Sequence, residues 1–187
     1  MYLATANAHK AVELGRLLGT AVAPLVGYPA VEETGATFLD NARLKAAAGR
    51  AAAPQDAWVL ADDSGLAVHV LGGAPGVESA RYGGPDLDDA GRVGHLLREL
   101  GEAEDRRARF VCVLVALGPD GEELVAEGTL DGTITCAPRG AGGFGYDPVF
   151  VPAGDTRTVA ELAPEEKDAI SHRGRAARAL RATLPAS

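Results

Sequence analysis

At 187 residues, 47% of them hydrophobic and 24% charged, the chain suits one well-buried globular domain, with room for two lobes. A net charge of −8 argues against a general nucleic-acid or anionic-membrane binder, and no apolar run approaches the ~20 residues that span a bilayer. The first residues, MYLATANAHK, lack a basic-then-apolar leader, so the cytoplasm is the expected compartment; Cys112 and Cys136 stand in no metal-like spacing and read as reduced thiols.

Residues 2–5 read as a short apolar strand running into Thr5-Ala6-Asn7-Ala8-His9-Lys10. Thr5 and Asn7 are good helix caps, and Val12, Leu14, Leu17 and Leu18 give the following helix an apolar face. Free backbone N–H groups at such a strand-to-helix turn can hold phosphate, with Lys10 adding a full charge, although no glycine-rich Walker pattern is present. Thr37 and Asp40 form a capping signature for the next helix, whose core stripe is Phe38, Ala42 and Ala46. Asn41 and Lys45, four apart, share another face, which solvent alone would explain. Glu32 and Glu33 precede this helix on a loop, where a carboxylate can join a metal site. The helix is expected to end near Ala53-Pro54.

Trp58 to Ala61 reads as a buried strand that stops at Asp62-Asp63-Ser64-Gly65. A second apolar run, Leu66 to Leu71, leads to a turn cluster at Gly72, Gly73, Pro75 and Gly76. Two adjacent carboxylates repel each other. A divalent cation or an activated water would offset that repulsion, because hard cations select carboxylate oxygens. An Asx-turn is the plainer alternative, and the stretch alone leaves both open. Arg81 suits a phosphate or a neighbouring acid equally.

Asp86 to Leu100 reads as an amphipathic helix with Leu87, Val93, Leu96, Leu97 and Leu100 inward. Residues 108–118 and 122–130 are expected as strands joined by an Asp120-Gly121 hairpin, with a further turn at Asp131-Gly132. No chemistry is assigned to them. Gly140 to Phe150, GAGGFGYDPVF, is different: its glycines allow close backbone approach, and Phe144 and Tyr146 offer ring faces on which a purine stacks. Pro164, Glu165 and Glu166 suit a helix start, and Ser171 suits a cap for a last helix with Ala176, Ala177, Leu180 and Leu184 inward. Between them Lys167, His172 and Arg173 form a dense set of donors.

Only three of the 18 basic residues are lysines, namely Lys10, Lys45 and Lys167. Where an Arg-rich chain still spells Lys, a compact ammonium is a reasonable requirement, and all three fall in the stretches singled out above.

Taken together, ATANAHK (4–10), EETGATFLDNARLKA (32–46), ADDSGLAVHVLGGAPGVESARY (61–82), GGFGYDPVF (142–150) and AELAPEEKDAISHRGRA (160–176) resemble the inosine triphosphatase family, in its order and over nearly the whole chain. One departure is Ala6, where that family usually has glycine. The resemblance implies an α/β fold, elongated and two-lobed around a long mixed sheet flanked by helices, with the active site in the cleft between lobes. It implies cleavage of ITP, dITP or XTP between the α- and β-phosphates, Mg²⁺ (with Mn²⁺ as substitute) and a homodimer. On this reading Thr5 to Lys10 hold the triphosphate and Ser64 contacts substrate. Asp63 is the proton acceptor and metal-linked carboxylate, with Asp62 beside it, and Lys45 neutralises phosphate charge. Glu33 or Glu32 completes the metal site, Glu33 being preferred. Phe144, Gly145, Tyr146, Asp147, Lys167, His172 and Arg173 bind the nucleoside end, with His172, Arg173 or nearby backbone donating to the 6-oxo group of a deaminated purine.

Overall fold

The parallel part of the sheet is built on β1 (Tyr2–Leu3), which pairs in parallel with β2 (Ala23–Pro24) on one side and β3 (Val59–Val68) on the other. The sheet has six strands in the order β2-β1-β3-β4-β5-β6, where β4 is Arg107–Leu117, β5 is Glu123–Ile134 and β6 is Phe150–Pro152. β6 runs antiparallel to β5, so the sheet is mixed, as expected. This computed structural model describes residues 1–5, 8–29 and 31–185, with the side chains of Ala8 and His9 outside that description.

The chain divides into two units. The first comprises Met1–Ser64, Cys112–Gly128 and His172–Ser187; the second comprises Gly65–Val111 and Thr129–Ser171.

In the first unit, α1 (Ala8–Leu18) buries Ala11, Leu14 and Leu18, a helical spacing that makes one stripe. Val12, expected on that stripe, is 74% exposed because it lies one residue round from Ala11. α1 packs against α5 (His172–Arg181), whose Ala176, Ala177 and Leu180 join Leu3, Leu60 and Leu114 in one core. Cys112 belongs to this core, where burial pushes its thiol up to about 11; Cys136 is exposed, and neither is in a disulfide. α2 (Phe38–Ala52) carries the expected capping box: the Asp40 N–H donates to Thr37 Oγ1 at 3.1 Å and the Thr37 N–H to Asp40 Oδ2 at 3.1 Å.

In the second unit, α3 (Asp89–Leu100) starts three residues later than expected because Asp88 caps it, accepting from the Gly91 N–H at 2.8 Å. Its Val93, Leu96 and Leu100 pack with Leu66, Phe110, Ile134 and Phe150. α4 (Pro164–Ile170) begins on Pro164, as read from the sequence.

Two expectations fail instructively. β3 does not stop at Asp62 but runs unbroken from Val59 to Val68, so both carboxylates sit mid-strand, with Asp62 2% exposed. Asp131-Gly132 is not a turn either; both residues lie inside β5. Gly132 is there for close approach, since a Cβ would stand 2.2 Å from Val151 O and 2.7 Å or less from the Phe150 ring.

Candidate active site

The order β2-β1-β3-β4 makes a switch point between β1 and β3, since the chain leaves β1 toward β2 on one side and β3 toward β4 on the other. In open α/β sheets ligands bind outside the carboxyl ends of the strands at such a point. Just past β1 lies a cavity of about 350 Å³, lined among others by Thr5, Lys10, Tyr28, Glu33, Lys45 and Asp62.

Successive residues of a strand point to opposite faces, so neighbouring acids on β3 meet different helices. Asp62 takes the Lys10 ammonium of α1, with Nζ 2.9 Å from Oδ2 and 3.2 Å from Oδ1. Ser64 Oγ donates to Asp62 Oδ2 at 3.3 Å, and an Arg173 guanidinium nitrogen lies 3.9 Å from the same oxygen. Arg173 also pairs with Glu13 at 3.2 Å. Asp63 takes the Lys45 ammonium of α2 at 2.6 Å, and the same ammonium donates to Glu33 Oε1 at 2.9 Å. The Asn41 side-chain amide donates to Asp63 Oδ2 at 3.4 Å. These charges explain why the strand continues through both acids: a buried carboxylate is tolerated when it is paired and hydrogen-bonded.

The two acids titrate in opposite directions. Burial alone would raise Asp62, but Lys10, Arg173 and Lys45 hold it well below the usual carboxylate range. For Asp63 burial prevails over the opposing Lys45, with Glu33 and Asp62 adding to it, and its carboxyl lies above the usual range. Lys45 would be lowered by burial, yet Asp62 and Asp63 keep it above its ordinary value, so it stays an ammonium.

Of the phosphate turn, Thr5 and Lys10 line the cavity; Ala6 and Asn7 lie outside the described residues, as do the Ala8 and His9 side chains. Of the two glutamates, Glu33 reaches the cavity, whereas Glu32 is exposed and does not line it. Among the described residues no three His, Cys, Asp or Glu side chains cluster closely enough to cage a metal. Glu33 and Asp63 nonetheless converge on one cation, the Lys45 ammonium. Two carboxylates are the donor set from which Mg²⁺ is usually held, its remaining positions going to water and substrate phosphate. The residues present therefore fit Mg²⁺.

The aromatic loop belongs to the second unit and is organised by Asp147. This buried carboxylate accepts from the Phe144 N–H at 2.9 Å and from Lys167 Nζ at 2.6 Å, and Lys167 Nζ lies 4.7 Å above the centre of the Phe144 ring. Gly145 N–H donates to Asp89 Oδ2 at 2.8 Å, a part for Asp89 that the sequence did not suggest. Phe144 is 47% exposed and presents a ring face; Tyr146 does not, being 5% exposed with its hydroxyl donating to Ser79 O at 2.9 Å. Arg81, left open between phosphate and acid, pairs with Glu78. A larger hollow of about 1000 Å³ in this unit is lined by none of the residues assigned to metal, phosphate or nucleoside, and its arginines pair locally, Arg107 with Asp105 and Arg109 with Asp131.

Sequence reading missed Asn41, Tyr28 and Glu13. Asn41 had one usable signal, its place one helical turn before Lys45 on a helix whose cap was already recognised. Tyr28, whose hydroxyl donates to Lys45 O at 3.3 Å, and Glu13 had none.

A mixed sheet with a switch point between β1 and β3, and lysine-neutralised acids beyond the carboxyl end of β1, defines an α/β protein with a charged cavity where such sheets bind ligands. The chain belongs to the Ham1 family, whose model matches residues 1–183. It is 50% identical over 190 residues to a dITP/XTP pyrophosphatase of Streptomyces coelicolor, with 96% of this chain and 94% of that one covered. It is 49% identical over 183 residues to a dITP/XTP pyrophosphatase of Thermosynechococcus vestitus, covering 96% and 92%. Among solved structures, a HAM1 protein from Coxiella burnetii superposes with a TM-score of 0.89 at 41% identity, covering 98% of this chain and 96% of that one. The Staphylococcus aureus Ham1 protein gives 0.87 at 42%, covering 97% and 95%. The resemblance read from the sequence motifs is thereby borne out.

Proposed function

We propose that the chain hydrolyses deaminated purine nucleoside triphosphates (ITP, dITP and XTP) to the monophosphate and pyrophosphate, keeping those nucleotides out of DNA and RNA. The observation that carries this reading is the pair of adjacent strand acids, each neutralised by its own lysine, beside the cavity past β1. Nothing in the scaffold requires such a costly arrangement, whereas a polyphosphate does.

Glu33 and Asp63 are the residues that would hold Mg²⁺, or Mn²⁺ in its place; the bound ion supplies charge neutralisation for the phosphates. Asp63 accepts the proton of the water that attacks the α-phosphorus. Burial gives it the raised proton affinity that a general base needs, and such help is worth about 10²–10⁴-fold. Lys10 and Lys45 turn from their carboxylates to the phosphates and stabilise charge on the departing pyrophosphate. In the second unit Phe144 offers its ring to a base, backed by Lys167. Recognition of the 6-oxo group is assigned, on the family resemblance, to His172 and Arg173. The homodimer and the cytoplasmic setting rest on that resemblance and on the sequence; among the described residues no helix is long and apolar enough to cross a membrane.

The test is to incubate the purified protein with Mg²⁺ and ITP, XTP, dITP, GTP or ATP separately, measuring pyrophosphate against orthophosphate. Pyrophosphate from the first three, with GTP and ATP nearly untouched, is the expected result. Orthophosphate instead would move cleavage to the terminal phosphate and overturn the reading. Light scattering on the same preparation should give twice the mass of the chain.

A further inference from the structure

Asn41 is fully buried, yet it belongs to neither hydrophobic cluster. A buried amide has to satisfy a carbonyl oxygen and an NH₂ group at once. Its Oδ1 accepts the backbone N–H of Gly35 at 2.8 Å, and its Nδ2 donates to Asp63 Oδ2 at 3.4 Å. The first bond fixes the sense of the second: with Oδ1 committed to a backbone N–H, only the donor end can face the carboxylate. A flipped amide would set oxygen against oxygen and leave the Gly35 N–H without its acceptor. Residue 35 has to be glycine for this approach, since a Cβ there would stand 2.6 Å from Asn41 Oδ1.

The two segments that Asn41 joins are the loop carrying Glu33 and the strand carrying Asp63. Lys45, one turn further along α2, joins the same two acids by its ammonium. The two ties differ in kind. Lys45 is a mobile point charge that a phosphate can draw away, whereas Asn41 is neutral, buried and held by backbone, so nothing in a triphosphate competes for it.

We infer that Asn41 is a positioning residue: it holds the Asp63 carboxylate and the Glu33 loop in mutual register once Lys45 has turned to the substrate. The inference rests on the reading of Asp63 as the proton acceptor. The bond is 3.4 Å long, and catalytic hydrogen bonds of that length often tighten in the substrate complex.

Two substitutions separate positioning from packing. Asn41→Ala removes both bonds and opens a cavity; Asn41→Leu removes both bonds and fills the space. Positioning predicts that both lower kcat for dITP by about ten- to a hundredfold, with KM changed less than twofold. It also predicts that the Gly35 amide exchanges with solvent at least tenfold faster in both, as read by NMR. A packing role predicts that Leu restores kcat. Wild-type kcat in Asn41→Leu, or unchanged Gly35 protection, overturns the inference. If the Leu variant does not fold, Asn41→Met, which also fills the space without either bond, takes its place and is read in the same way. Asp63→Asn is the control: full turnover there removes the proton-acceptor reading itself, whereas a dead Asp63→Asn beside a fully active Asn41→Leu removes only the part given to Asn41.

Discussion

Lys45 Nζ lies 2.6 Å from Asp63 Oδ1, in the middle of a strand rather than at its end. One ammonium serves that acid and Glu33 together, so its loss would leave two carboxylates facing each other with no cation between them. In Lys45→Met, kcat/KM should fall by about 10²–10³, the usual cost of removing one preorganised group from a developing oxyanion. The variant should melt below wild type without metal and gain more than wild type when Mg²⁺ is added, because the ion takes the vacated place. Equal Mg²⁺ responses in a thermal-shift assay would remove Glu33 and Asp63 as the metal-holding pair.

Asp62 is the structural partner of this pair. It is buried among Lys10, Arg173 and Ser64, and Asp62→Asn would leave two cations facing a neutral amide. Breaking a buried pair from one side costs about 3–5 kcal/mol, which urea unfolding at pH 7 would resolve. The pH dependence has a definite sign. The folded-state carboxyl of Asp62 lies below its ordinary value of 3.8, so the unfolded chain binds the proton more readily. Its contribution is therefore complete above the unfolded value and fades from about pH 5 downward. The gap between wild type and Asp62→Asn should narrow at pH 3. Asp63 has the opposite sign: its folded-state carboxyl is raised, so ionising it weakens the fold as pH climbs past 3.8. Asp63→Asn should then be at least as stable as wild type at pH 7. A large loss of stability there would contradict the reading that burial outweighs the Lys45 pair at Asp63.

Most of this was legible in the sequence wherever local chemistry and tertiary context agree. The Thr37–Asp40 cap, the start at Pro164 and the apolar stripe of α5 are of that kind. Legibility failed where a long-range partner overrides a local signal. Asp62-Asp63 reads as a strand terminator because carboxylates are costly in a sheet, yet lysines more than 15 residues away neutralise them. Asp131-Gly132 reads as a turn because that dipeptide favours one, yet Gly132 is set by the approach of Val151 O. Asn41 reads as solvated because helical periodicity cannot show a loop folding back over it.

Phe144 offers a direct test of the nucleoside end. About half its surface is open, and the Lys167 ammonium lies over its ring. Stacking of a base on an aromatic is worth about 1–3 kcal/mol, so Phe144→Ala should raise KM for dITP by about tenfold or more. Its melting temperature should fall less than on truncating the fully buried Phe150, since only about half of the Phe144 side chain is buried. An unchanged KM would mean that the base lies elsewhere.

Gly128 and Gly94 are both glycines inside regular elements, but they should respond oppositely to the same added methyl. In α3, a Cβ on Gly94 would meet only the end of Arg98, at 3.4 Å. There alanine removes backbone freedom from the unfolded chain and should stabilise by up to about 1 kcal/mol. In β5, a Cβ on Gly128 would stand 2.1 Å from His172 O and 2.3 Å from Ala176 N, both backbone atoms of α5 that cannot rotate away. Alanine there has to push the first turn of α5 off the strand, at a cost of about 1–3 kcal/mol or more. That turn carries Arg173, so the shift should also draw its guanidinium from Asp62 and lower turnover in Gly128→Ala. Urea unfolding and dITP hydrolysis on the two variants check both halves. If Gly128→Ala is as stable and as active as wild type, the close seating of α5 on β5 is not what holds Arg173 beside the acid.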